Sequence, residues 1–328
     1  MSRHLVFDRS LLELDSLVRR GYQHSWTDCR HLHLLPSSLI PPDLSELSTC
    51  ILTVCRHNRP VILLGGAHSL KLGLSRFLID LIERHLITHL ATNGSGLIHD
   101  FELALVGSTS EDVAQWLKVG QFGLWQETSR LNDIICQAAQ RGEGLGEAVG
   151  RTIEEEHFPH RDLSIAAACW RSGTPLTCHV TIGADIIHTH PNCDGAALGQ
   201  TSYTDFLIFA RAVQDLEGGV FLNVGSAVTG PEVFLKALSM ARNVARQQGQ
   251  EVRHFTTAVF DLAPLPEDWR NRTFTKEEAW YYYRPWKTLL NRAVADGGQS
   301  FYIHGDFRDT IPALWHLLVS ADQEQPRA

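Results

Sequence analysis

No apolar run in these 328 residues approaches the roughly 18 needed to cross a bilayer, so the sequence carries no transmembrane span. The opening Met1-Ser2-Arg3-His4 leads into alternating polar and apolar residues and not into a signal-peptide core, so a cytoplasmic location is expected. Positive charge is in short supply. A formal net charge of -8 works against a nucleic-acid-binding surface, which needs clustered Lys and Arg. Cysteine is sparse and scattered. Seven residues cannot all pair within one chain, and Cys50 and Cys55 do not have a strong zinc spacing, so reduced, mostly buried thiols are expected. No stretch rich in Pro, Gly and Ser divides the chain, and no internal repeat is visible. The expectation is one α/β domain over residues 1–328, with an N-terminal helical extension over about 1–57.

What is present is a recurring unit of apolar strand, glycine turn and helix. Val61-Ile62-Leu63-Leu64 ends in Gly65-Gly66, and a helix is predicted over about 70–84. Ile87 to Ala91 reads as a strand that ends in Thr92-Asn93-Gly94, with a further helix from near Leu97. Leu176 to Ile182, Val220 to Val224, His254 to Val259 and Phe301 to His304 read as later strands. Helices are predicted over 162–172, 203–212, 231–247 and 310–319. Residues 1–20 read as helical through Leu11, Leu12, Leu14 and Leu17, another helix covers about 46–57, and the glycine-bearing 141–161 stretch reads as an exposed excursion. The spacing implies βαβ units and a doubly wound, mostly parallel sheet with helices on both faces, a Rossmann-like arrangement.

Chemistry-bearing residues gather after the strands. Thr92-Asn93-Gly94-Ser95-Gly96-Leu97-Ile98-His99-Asp100 offers His99 as a base or ligand, with Asp100 and Glu102 near a helix N-terminus. Asp185 follows Gly183-Ala184 and is the better candidate for holding a cationic or hydroxyl-bearing ligand. His188-Thr189-His190 would place two imidazoles on one side of an extended chain, and with a third group such as His99, His179 or Asp185 they could hold a metal ion. A polar loop turned by Pro191 and Gly195 is the plainer reading. Lys287 sits in the run Tyr281-Tyr282-Tyr283-Arg284-Pro285-Trp286-Lys287 and is a candidate amine nucleophile, the alternative being an aromatic interface between subunits. Asp306 either meets a ribose or amide, or caps the last helix. None of the glycine turns is a G-x-G-x-x-G fingerprint in its helix-opening context.

Over roughly 55–320 these segments resemble the deoxyhypusine synthase family, in motif order more than in identity, and specifically a bacterial branch of deoxyhypusine synthase-like proteins. The family's T-x-A-G-G-x-E-E-D segment is similar to 92–100 here. The resemblance implies NAD as cofactor, with Gly66, Thr92, Gly94, Ser95 and Asp306 as contacts, a homodimer or homotetramer, and an amine substrate. It makes Asp185 a substrate-orienting aspartate, and Trp286 with Lys287 similar to the family's tryptophan and imine-forming lysine. Two departures matter. The family's acidic pair is Ile98-His99 here, and its histidine-bearing glycine segment corresponds to 223–232, which holds no histidine. The resemblance therefore implies an NAD-linked transferase or oxidoreductase whose chemistry has moved to another amine or a small acceptor, with His99, His188 and His190 supplying acid–base groups. A metal-dependent hydrolase or lyase using His188 and His190, and a non-catalytic ligand-binding relative, are the alternatives.

Overall fold

In the computed structural model, residues 3–32 and 40–324 are described. The first half contains β1 (His24–Ser25), α1 (Pro42–Arg56), β2 (Val61–Gly65), α2 (His68–Lys71), α3 (Ser75–Glu83), β3 (His89–Asn93), α4 (Gly94–Val106), β4 (Ser108–Thr109), α5 (Val113–Lys118), α6 (Gln126–Arg141) and α7 (Leu145–Glu155). The second half contains α8 (Ile165–Ser172), β5 (Leu176–His179), α9 (Gly195–Gln214), β6 (Val220–Val224), α10 (Thr229–Gln247), β7 (Thr256–Asp261), β8 (Gln299–His304) and α11 (Phe307–Glu324).

Six strands form one parallel sheet in the order β5-β3-β2-β6-β7-β8. Counted along the chain, that is third, second, first, fourth, fifth, sixth, the doubly wound order whose direction of winding reverses between β2 and β6. Every residue of β2 is buried, as a strand covered on both faces requires. Val61 and Leu63 pack into one core with α1, α3 and α11 through Leu47, Phe77 and Leu314. Ile62 and Leu64 point the other way, into a second core with Phe209 and Val213 of α9 and Phe234 and Leu238 of α10. Alternation along one strand therefore builds both layers.

The register sets the sheet's functional edge. Asn93 pairs with His179 and Asp261 with His304, and Gly65 pairs with both Thr92 and Val224. The strands thus end nearly in line, and the edge spans about 24 Å over five strand spacings. A separate two-stranded ribbon pairs β1 with β4, His24 opposite Thr109.

Several sequence expectations change. Residues 3–20 form no α-helix. They carry two short 3-10 turns, Arg9–Leu11 and Leu17–Arg19, because Leu17 is buried while Leu11 is exposed and no continuous apolar face exists. The helix expected over 70–84 is two helices, broken at Gly73, whose φ is +70°. The stretch 141–161 is no excursion: α7 buries Leu145, Ala148, Val149 and Ile153 in the first core. No disulfide forms among the described residues, and five of the seven cysteines are buried. No helix among the described residues is long and apolar enough to cross a membrane.

Candidate functional site

A cavity of about 260 Å³ lies beyond the ends of β3 and β5, lined by Lys71, Ser95, His99, Glu111, Phe122 and Asp185 among others. Asp185 reaches it because its loop folds back onto the start of α4. A methyl group on Gly94 would lie 2.1 Å from Asp185 Oδ2, so only glycine at that position lets the carboxyl rest on the helix N-terminus. Burial pushes this carboxyl up to about 6, and hydrogen bonds from the backbone of Thr181 and Ser95 hold it back from rising further. Oδ2 is buried and has no hydrogen-bond partner among the described residues. Lys71, at the end of α2, is half-buried beside the cavity and has no ion-pair partner among the described residues.

His99 is held from behind. Its Nδ1 lies 2.7 Å from Thr109 Oγ1, and Thr109 Oγ1 donates to Glu102 Oε2 at 2.8 Å. Glu102 is gripped by Arg20 through two bonds, 3.0 and 2.7 Å, and accepts a further one from Thr128 at 2.7 Å. Burial, and secondly the charge of Lys71, push the His99 imidazole down to about 4, against the opposing pull of Glu102. At neutral pH it is therefore an uncharged base. Sequence reasoning found His99 and Asp185, and the structure brings them to one cavity. It missed Lys71, Arg20, Thr109 and Glu111, which carry no local motif, and Arg20 and Glu102 are 82 positions apart. Glu102 was read only as a helix-dipole partner. Asp100 does not serve its own helix either, since it caps α8 by accepting from Ser164 and the amides of Ile165 and Ala166.

The remaining candidates lie elsewhere. His188 Nδ1 accepts from the amides of Gly183 and Asp185, at 3.1 and 3.3 Å, so it shapes the Asp185 turn and faces a neighbouring cavity with Phe7, Leu12 and Phe122. His190 is fully buried, with Nε2 2.6 Å from the Gly123 carbonyl. No group of three or more His, Cys, Asp or Glu side chains placed to hold a metal occurs among the described residues, so the His188–His190 pair has no third ligand of those types. His179 is buried against Thr177 and the ring of Phe209. Lys287 belongs to a π-helical turn, Trp286–Arg292, packed against β7 and β8, and its Nζ sits 3.8 Å above the Tyr281 ring. Asp306 follows β8 at the opposite end of the sheet edge, where Arg308 grips it and holds its carboxyl down at about 2. The structure does not bring Lys287 or Asp306 to the His99–Asp185 cavity.

No family model matches this chain, and no curated protein does. Solved structures match at the level of fold. ArgZ, an arginine dihydrolase from the ornithine–ammonia cycle in cyanobacteria, superposes in its apo form with a TM-score of 0.52 and 11% identity over 85% of this chain. This chain spans only 33% of ArgZ. A conserved putative LOR/SDH protein from Methanococcus maripaludis S2 gives 0.52 and 12%, over 88% of this chain and 74% of that one. A putative deoxyhypusine synthase from Entamoeba histolytica gives 0.45 and 8%, over 85% and 87%, too loose a fit to bear on the motif correspondence. The first two likenesses show a shared Rossmann-like fold.

The doubly wound order raises the question of a dinucleotide, and the turn residues answer it poorly. Thr92 is buried and donates to the Gly65 carbonyl at 2.9 Å. Asn93 caps α4 by accepting from Gly96 at 2.8 Å. The first glycine turn opens a helix of only four residues, too short for a Rossmann phosphate site. At the winding reversal, Phe307 covers Gly225 and meets His68 edge-on at 5.6 Å. Gly66 and Ser95 remain at the edge, but the set as a whole does not fit a dinucleotide held in the Rossmann manner.

Proposed function

We propose that this chain is an enzyme acting on a small substrate that carries both an ammonium and an anionic group. Asp185 takes the ammonium, Lys71 takes the anionic end, and the uncharged imidazole of His99 accepts a hydrogen bond from the substrate. The observation that supports this reading is the meeting of three groups in one cavity: an uncharged imidazole, a carboxyl raised to about 6 and a lysine without an ion-pair partner among the described residues. A volume of about 260 Å³ suits a ligand of amino-acid size. The arginine dihydrolase ArgZ shares the fold, which is compatible with an amine or guanidino substrate.

Calorimetric titration with a panel of amino acids, plain amines and plain carboxylates tests the reading. Zwitterions should bind and saturate, and affinity should climb as pH rises through about 6, where Asp185 ionises. No saturable heat from any of the panel up to about 10 mM would remove the proposal. Binding without turnover under any condition would leave a ligand sensor.

NAD-linked amine oxidation or aminoalkyl transfer is the finer reading, and the strand order favours it. The turn residues expected to meet NAD oppose it, and what this chain's own side chains supply is the binding of a zwitterion. Titration with NAD, read by quenching of tryptophan fluorescence, separates the two. A flat response to millimolar NAD removes the dinucleotide while leaving the zwitterion site standing.

A further inference from the structure

We infer that the buried Arg20–Glu102 pair, acting through Thr109, is a positioning device that fixes the tautomer of His99 and makes Nε2 the hydrogen-bond-accepting atom. The argument is one of hydrogen-bond direction. Glu102, bound by two guanidinium nitrogens, has only lone pairs to offer. Thr109 has one hydroxyl hydrogen and spends it on Glu102 Oε2. Its oxygen must then accept from His99, so the hydrogen of the neutral imidazole sits on Nδ1 and the lone pair on Nε2.

The surroundings leave little freedom to reverse this chain. The two Glu102 oxygens receive four donors, from Arg20, Thr109 and Thr128, so neither has a reason to turn. Four separate segments converge there: the N-terminal stretch with Arg20, α4 with His99 and Glu102 on one face, β4 with Thr109, and α6 with Thr128. Pairing of Thr109 with His24 sets its height above α4. The Arg20 and Glu102 side chains are each 1% exposed. A buried ion pair is a poor source of stability, because desolvation offsets the attraction, but it orients its partners strongly. The charged and titratable groups around His99 are Lys71, Glu102, Arg20 and His24.

This inference rests on the reading of His99 as a hydrogen-bond acceptor for the substrate, but it is tested without a substrate. Protein labelled with 15N-histidine gives long-range proton–nitrogen spectra, in which protonated and bare ring nitrogens are distinct, and His99→Gln assigns the signal. At pH 7 the wild-type His99 should show a protonated Nδ1 and a bare Nε2. Thr109→Ser should preserve that pattern. Thr109→Val should shift the tautomer ratio about tenfold toward Nε2–H, the weight of one lost hydrogen bond. A protonated Nε2 in the wild type overturns the inference, as does an unchanged ratio in Thr109→Val. If Thr109→Val fails to fold, the wild-type and Thr109→Ser spectra still decide. A correct tautomer in a protein that binds no zwitterion would sink the proposed function and leave the positioning device intact.

Discussion

The two ends of the sheet's carboxyl edge are built to opposite rules. Beyond β7 and β8 the polar groups are matched to one another. Tyr283 donates to Asp261 at 2.5 Å, Tyr302 donates to the Ala263 carbonyl, and Arg308 grips Asp306. Beyond β3 and β5 polar capacity is left over. Among the described residues Asp185 Oδ2 and Ser110 Oγ have no hydrogen-bond partners and Lys71 has no counter-ion. A protein leaves buried polar capacity unmatched where something else completes it, since each such group costs about 1–3 kcal/mol. The matched end holds residues in place, and the unmatched end is where a ligand has something to gain.

That contrast can be broken most forcefully at its ion pairs. Arg20→Ala strands a buried carboxylate and should cost about 3–5 kcal/mol in urea unfolding, whereas Arg308→Ala, on an exposed pair, should leave the unfolding midpoint almost unmoved. Equal losses would erase the distinction. Asp185→Asn sharpens it through pH. The folded carboxyl titrates near 6 against an ordinary 3.8, so stability is greatest below 3.8 and is lost as pH rises through 6. Removing that charge should raise unfolding free energy by roughly 1–3 kcal/mol at pH 8, change it little at pH 3.5, and abolish zwitterion binding. Thermal melts at the two pH values read the stability, and calorimetry reads the binding. Tyr283→Phe should cost about 1–2 kcal/mol by removing a donor to Asp261, with ligand affinity unchanged. The smallest effect is expected at Lys287. Its loss to Ala removes a contact with the Tyr281 ring worth at most about 1 kcal/mol and should leave zwitterion affinity within about twofold.

The order of strands and helices was legible because buried parallel strands are short continuous apolar runs. Val220 to Val224 was read to the residue. The second strand was read two positions early, as Ile87 to Ala91, because its first residue is His89, a polar side chain buried against Thr177 and Phe209 that no hydropathy pattern announces. The 141–161 stretch was misread for the opposite reason. Its glycines suggested a surface loop, but a methyl group on Gly146 would lie 2.1 Å from the Leu176 carbonyl, so that glycine serves close packing of α7 on β5. At the site, glycine turns and nearby titratable residues were enough to find His99 and Asp185. Thr109 and Arg20 were invisible, since each matters only through a partner brought close by folding. Lys287 and Asp306 carried motif-like surroundings and lie at the matched end, which shows that local composition marks a polar cluster without saying whether its valences are already filled.

The two-residue ribbon of β1 and β4 has a practical consequence for anyone preparing this protein. A minimal version trimmed to the strand-and-helix repeat, beginning near residue 40, would keep α1 and all six sheet strands, yet it would discard Arg20 and the His24 side of the ribbon. Such a trimmed protein should still give a well-dispersed spectrum, with His99 no longer locked. A bulky affinity tag fused close to the first strand carries the same hazard. Cleavable or carboxyl-terminal tags are the safer choice for any assay of this cavity.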